Sequence, residues 1–553
     1  MTYPSDMKHK RSSFASRPGE PDALRSPGNG RILGRIMRAL IMGLLAFSVA
    51  CGARRPTSPT VAATPMSTIA LPPAEPSPTI SITLAPTQEL PSDESGEQSK
   101  AMLPNSASDV DMFPDATRYD IKANVTFDAE QSSARIQGQA RIRFTNPLPW
   151  ALDDLILMLW PNDEQYRSTM TAGPALIDGV EETAAVELDG VALRFTLSKP
   201  LDPGSTVDVS IPFEVIASGP IGGSDPKRFG ITNGMFAAPT FYPLVPALID
   251  REWSLQAAPP GGDTTNSDIA FYHVELTFPS KYVLAASGRT IAQTDNGDGT
   301  TTDTIVTGPM RDFAFALGPF VIDSRDFEDI QVNAWVLPDH TSDLPRVLDL
   351  ATDQMRVMSQ DVGPYPYTEL DVVDAPGAFG GIEYPGLVFI GTLGTSRLVT
   401  PVVHEVAHQW FYGLIGNDQL EEPWLDEAAA TYAELLYYEG TGDTTSVAGM
   451  LSQLRSRVRS SPDPGAPIGQ PVGEYSSTDE YSTIVYLKGA LFFDALRNQI
   501  GDSAFFDFLH VYYSSHLYGF VTSDDFEAAA ETACGCQLEQ LFEDWVFNPG
   551  VVP

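Results

Sequence analysis

Alternation of apolar and polar residues dominates the chain from about Asp115 to Asp323. Tyr119, Ile121, Ala123, Val125 and Phe127 occupy every second position. Ile136, Ala140, Ile142 and Phe144 do the same against Arg135, Gln137, Gln139, Arg141 and Arg143. Successive side chains of a strand point to opposite faces, so these runs predict strands with one buried and one solvated face. Val207, Val209, Ile211, Phe213 and Val215 repeat the pattern, as do Tyr272, Val274, Leu276 and Phe278. Roughly two hundred residues of short strands and turns predict an antiparallel, sandwich-like β domain. Within it, D-N-G-D-G at 295–299 lacks the acidic spacing and closing glutamate of a calcium loop and reads as a hairpin turn.

From about Phe327 the period lengthens. Residues 330–337 and 387–390 read as strands, with an amphipathic helix at 345–358 between them, and beyond Thr400 nearly every segment has helical spacing. Val403, Val406, Ala407, Trp410 and Leu414 form one apolar stripe, with Thr400 placed to cap the helix and Pro401 in its first turn. His404 and His408 fall about 40° apart on the flank of that stripe, with Glu405 beside them. Two imidazoles one turn apart can reach one ion, which is why H-E-x-x-H binds zinc. A catalytic zinc takes three protein ligands and keeps a further position open. Glu427 is the obvious third, separated from His408 by eighteen residues, in E-P-W-L-D-E-A-A-A, a second helix opening after Pro423. Periodicity puts Glu427 and Glu434 on the side away from Leu425, Ala429, Tyr432 and Leu436, which suits either solvent or a metal cleft.

With these residues in place the sequence resembles the gluzincin aminopeptidases, the family of aminopeptidase N and leukotriene hydrolase. Gly380-Gly381-Ile382-Glu383-Tyr384-Pro385-Gly386 is similar to the family's G-x-M-E-N segment, and Tyr486-Leu487-Lys488-Gly489-Ala490 to its Y-x-K-G-A segment. The resemblance implies a thermolysin-like, mainly helical catalytic domain and peptide substrates. It also implies one Zn2+ per chain on His404, His408 and Glu427. Glu405 would be the general base and Tyr486 the hydroxyl facing the developing oxyanion, with Tyr481 as the competing tyrosine. Glu383, with Gly380 and Gly381, matches the segment that binds a substrate's free α-ammonium in relatives. Ile382 and Tyr384 depart from that signature, and no second amine-binding side chain is identifiable near 240–243. Asp426 either orients a ligand histidine or caps the second helix. Residues 545–549 are similar to the segment closing the catalytic domain. Larger relatives continue into a helical roof for which this chain has no residues, so a more open cleft is expected.

Composition adds the cellular setting. Residues 1–50 carry 8 Lys/Arg against 3 Asp/Glu, and the apolar run 39–50 stops at Cys51. That is a signal-peptide pattern. F-S-V-A-C also fits a lipobox, which would make Cys51 the lipidated mature N-terminus; an ordinary signal peptide is the alternative. The expected organisation is a signal peptide at 1–50, a Pro/Thr/Ser-rich disordered linker at 51–112, the β domain at 113–325 and the zinc peptidase domain at 326–553. The expected location is the outer side of a bacterial cytoplasmic membrane, touched only through the lipid. With 34 Lys/Arg against 72 Asp/Glu, a net charge of −38, nucleic acid is an unsuitable partner. Cys534 and Cys536 are the only cysteines besides Cys51; they offer no disulfide framework and read as an incidental pair, with a local disulfide left open. The functional expectation is a zinc aminopeptidase. An endopeptidase or an epoxide hydrolase on the same metal is the alternative, as is a non-catalytic peptide-binding lipoprotein, against which Glu405 argues.

Overall fold

The computed structural model describes residues 95–219, 228–249, 251–256, 266–377, 380–391, 393–395 and 397–553. The expected signal peptide, Cys51 and most of the expected linker lie outside them. Among the described residues no helix is long and apolar enough to cross a membrane.

The alternating runs Thr117–Asp128 and Ser133–Thr145 pair antiparallel, with Tyr119 opposite Ile142 and Ile121 opposite Ala140. That register keeps the apolar set on one face, where a one-residue slip would expose all of it. The pair lies inside a nine-stranded sheet. Its order is Arg289–Asp295, Thr300–Val306, Ala270–Pro279, Thr117–Asp128, Ser133–Thr145, Thr206–Ser218, Ala175–Ile177, Val180–Glu182, with Ser168–Ala172 also on Thr206–Ser218. One pairing differs from the antiparallel expectation: Thr117–Asp128 runs parallel to Ala270–Pro279, Tyr119 beside Tyr272. These strands are distant in sequence, so no hairpin dictates their direction. Ile121, Ile136, Ile211 and Val274 share one apolar core with Leu155, Leu157 and Phe195, which come from a three-stranded sheet. The D-N-G-D-G turn does join two hairpin strands, with Gly297 and Gly299 at positive φ.

The next sheet is mixed: Val321–Phe327, Ile330–Val336, Glu369–Asp374, Leu387–Ile390 and Gly381–Ile382. Its first strand starts a few residues before the expected domain boundary. Helix α1, Leu344–Asp361, connects the parallel strands Ile330–Val336 and Glu369–Asp374. A small separate core, with Ala285 and Ala316 on one side and Val373, Leu387 and Phe389 on the other, ties the β-rich region to this sheet. The helices follow: α2 Val399–Ala407, α3 Trp424–Gly440, α4 Thr444–Arg459 and α5 Gly489–Ile500. α2 packs with α1 and α3 into the largest core, around Trp410 and Trp424.

The linker expectation needs correcting at its end. Residues 95–112 form short helical turns with Met102 and Val110 buried. Leu103 N donates to Pro366 O and Thr368 N to Ala101 O, at 2.8 and 3.0 Å. A few well-placed apolar residues and backbone bonds anchor a stretch whose composition alone reads as unstructured. Cys534 and Cys536 form a disulfide at the end of helix Ser523–Cys534.

Candidate active site

α2 brings His404 and His408 onto one face. It starts at Val399, so Thr400 lies inside the first turn instead of capping it, and its hydroxyl serves the Glu434 carboxyl. Residues 399–407 are helical and His408 is the C-cap, its Nδ1 facing Phe411 O at 3.0 Å. α3 opens after Pro423 as expected and delivers Glu427 and, two turns on, Glu434. Glu434 Oε1 meets His404 Nδ1 at 3.1 Å. Both Nδ1 atoms thus face acceptors, so each ring carries its hydrogen there and turns a lone pair on Nε2 inward.

Those lone pairs converge. His404 Nε2 and His408 Nε2 are 3.1 Å apart, and Glu427 Oε2 is 3.2 and 3.3 Å from them. Three ligand atoms about 2.0–2.1 Å from a tetrahedral zinc sit roughly 3.3 Å apart. The donor set and spacing fit zinc, and three converging lone pairs call for a cation. The surrounding carboxylates favour positive charge at this point. Burial pulls His404 down, but its bonds to Glu427 and Glu434 overrule that and lift it to about 10. Burial likewise opposes ionisation of Glu427, yet the two histidines hold it well below the ordinary carboxylate range.

Glu405 lines the same cavity as the histidines and lies against Gly381. A Cβ on Gly381 would come within 2.3–2.5 Å of the Glu405 side chain, so any side chain there would displace the carboxyl group. Burial, with Glu383 nearby, pushes Glu405 up to about 8 against the pull of the histidines. Glu383 is buried beside His408, and Gln419 Nε2 donates to its Oε1 at 3.0 Å. Gln409, next to His408, clamps the same segment: its Oε1 accepts from Gly386 N at 2.7 Å and its Nε2 donates to Tyr384 O at 3.2 Å. Asp426 accepts from Asn417, Gln419 and the Glu427 amide. Its carboxyl comes within 4.8 Å of His408 and Glu383, but the ligand histidines are oriented by Glu434 and Phe411 O instead.

Tyr486 lies in a π-helical stretch, Ser482–Lys488. The wider turn inserts one extra residue into the helix, a device common at functional sites. It lets Tyr486 stack on His404, centroids 5.9 Å apart, and donate its hydroxyl to Glu427 Oε1. Lys488 meanwhile turns into the core, where its Nζ donates to Pro464 O and Ala466 O. Gly489 faces Ala428 so closely that a Cβ would sit 2.4 Å away, which lets α5 lie against α3. Tyr481 is buried against Tyr486 and does not reach the cavity.

A cavity of about 910 Å³ gathers these groups: His404, Glu405, His408 and Glu427, with Glu383 and Tyr486 and the glycines 380 and 381. α4 supplies an uncharged wall with Ser446, Gly449, Met450 and Gln453, and Arg228 enters from the β-rich region. Three contributors carried no sequence motif: Gln409, Gln419 and Arg311. Arg311, fully buried, donates to the carbonyls of Tyr412 and Gly519 and so joins the β-rich region to the loop after α2. Glu434 did carry a signal, its seven-residue spacing from Glu427.

A sheet followed by a helix with two histidines one turn apart, and a glutamate from the next helix, defines the gluzincin class. Residues 348–545 match the peptidase family M1 domain. Over those residues the chain is similar to the aminopeptidase N branch of the gluzincins, the M1 family, whose domain is a zinc peptidase. It is 30% identical to aminopeptidase N of Lactobacillus helveticus over 165 residues, 29% of this chain and 20% of that one. It is 28% identical to human aminopeptidase B over 190 residues, 30% of this chain and 27% of that one. The matches thus span under a third of these relatives' lengths. The M1 zinc metallopeptidase of Deinococcus radiodurans shares the fold, with a TM-score of 0.60 and 22% identity over 79% of this chain and 95% of that one. A mutant of it has been solved with the substrate Tyr-Ser-Ala.

Proposed function

We propose that the chain is a zinc aminopeptidase binding one Zn2+. The observation that carries this is one cavity holding three converging ligand atoms, a second carboxylate, Glu405, on the helix of the two histidines, a tyrosine hydroxyl and the Glu383 carboxylate. Zinc held by His404, His408 and Glu427 supplies Lewis acidity toward the substrate carbonyl. Glu405, whose affinity for a proton is raised by burial, takes a proton from the attacking water and passes it to the departing amine. The Tyr486 hydroxyl donates to the developing oxyanion, a contribution of about 3 kcal/mol in comparable sites. Glu383 accepts the substrate's α-ammonium, and Gly380 and Gly381 leave room for the peptide backbone beside it.

The reading extends to location: a lipid-anchored protein outside the cytoplasmic membrane, with the β-rich region as a sandwich-like domain. The basic and apolar run ending at Cys51 supports this, as does the Cys534–Cys536 disulfide, a bond that persists in oxidising compartments. Cys51→Ser should abolish incorporation of labelled fatty acid.

Activity is tested with one tripeptide, free or N-acetylated, on zinc-loaded wild type and Glu383→Ala. Cleavage of the free peptide only, strongly reduced but measurable in the variant, is the expected result. Equal cleavage of both peptides would make the enzyme an endopeptidase, and cleavage of neither would remove the peptidase reading.

A further inference from the structure

Resting on the aminopeptidase reading, we infer that Gln419 is the positioning residue for the amine-binding carboxylate Glu383. Its single amide nitrogen donates to Glu383 Oε1 at 3.0 Å and to Asp426 Oδ2 at 2.8 Å. A side-chain amide has two such hydrogens, so its donor capacity is spent on the two carboxylates. Glu383 lines the cavity and Asp426 does not, although both are buried and their oxygens lie within 4.8 Å of one another. Two carboxylates that close repel each other. The amide between them offsets the repulsion and fixes which way Glu383 faces.

Gln419 can do this because its loop is held on both sides. Asp418 Oδ1 accepts the amides of Leu420 and Glu421 and the Asn266 side chain at 2.8 Å, anchoring the loop to a neighbouring segment. Gly416 and Asn417 pair with Phe520 and Val521, and Leu420 O accepts Val472 N at 2.9 Å. Gln409 holds the backbone just after Glu383, at Tyr384 O and Gly386 N. Two glutamines therefore act on Glu383 in different ways, Gln409 setting where its backbone lies and Gln419 setting the orientation of its carboxylate.

The test is a double-mutant cycle on zinc-loaded full-length enzyme: Gln419→Ala, Glu383→Ala and both together, assayed on the free-amine tripeptide and its acetylated form. A hydrogen bond to a charged group corresponds to roughly a tenfold effect. Gln419→Ala should raise KM for the free peptide by about tenfold while leaving kcat and zinc content near wild type, and should add nothing on the Glu383→Ala background. Gln419→Met, which keeps the length and removes the donors, should match it, and it replaces the alanine variant in the cycle should that one fail to fold. Equal losses in both backgrounds would show a purely structural residue and overturn the inference alone. A wild type indifferent to acetylation would overturn the aminopeptidase reading and this inference with it.

Discussion

The β-rich region and the helical region bury their side chains under different rules. Around Ile121, Ile136 and Phe213 the interior is chiefly apolar and aromatic, Tyr119 stacking on Tyr272 at 4.8 Å. The helical region instead encloses His404, Glu405, His408, Asp426, Glu427 and Glu434, each at most 8% exposed. Burying an unpaired charge costs several kcal/mol, so most of these groups are tied to a partner, His404 to Glu434 and Asp426 to Asn417 and Gln419. The contrast teaches that the first region is held by apolar area and the second by a polar network whose cost is justified by chemistry. A substitution in the first should therefore move stability, and one in the second should move activity.

Four experiments press on that division. Among single substitutions Glu405→Gln should produce the largest effect, lowering kcat by about 10²–10⁴ while the melting temperature holds or rises, since an amide is easier to bury than a carboxylate. A large fall in melting temperature would mean that Glu405 supports the fold. Removing metal with a chelator should abolish turnover and lower the melting temperature, by a shift that grows with the zinc concentration of the reference sample. A melt insensitive to zinc would contradict the convergence of lone pairs on His404, His408 and Glu427.

A matched pair of glycines sharpens the comparison further. Gly381→Ala intrudes on the Glu405 carboxylate and should reduce kcat about tenfold or more with little change in the melt. Gly138→Ala places a Cβ 2.4 Å from the Phe213 ring and should destabilise by about 1–3 kcal/mol with kcat unchanged. Swapped outcomes would erase the distinction between the regions.

The smallest effect concerns Asp312, beside the joint made by Arg311. Burial, with Glu383 adding, pushes its carboxyl from 3.8 up to about 7, against the hydroxyl donated by Tyr412. Between those values the folded chain keeps a proton that the unfolded chain has released. The group's contribution is complete below pH about 4 and is lost as pH rises toward 7. Asp312→Asn should flatten that decline in a series of melts across pH, and an unchanged slope would assign the dependence to other groups.

How much of this was legible in the chain depended on the range of the interaction. The His404–His408 pair was readable because i and i+4 are neighbours on any helix, and Glu427 with Glu434 because seven residues make two turns. Tyr486 and Tyr481 could be ranked only by resemblance, because the choice between them turns on the π-helical insertion at Ser482–Lys488. The packing of residues 95–112 was missed because Met102 and Val110 are sparse among polar neighbours. Gln409 and Gln419 were invisible because an amide carries no motif until its partners are known.

By itself the sequence determined the strands, the order of sheet before helices, and the metal-binding residue types, because these follow from periodicities of two and 3.6 and from spacing within one or two turns. Only the tertiary structure decided the parallel pairing of the strands at 117–128 and 270–279, the glycine that makes room for Glu405, and the amide set between Glu383 and Asp426. Each joins segments far apart in the chain, and such contacts depend on the packing of the whole, which no local pattern encodes.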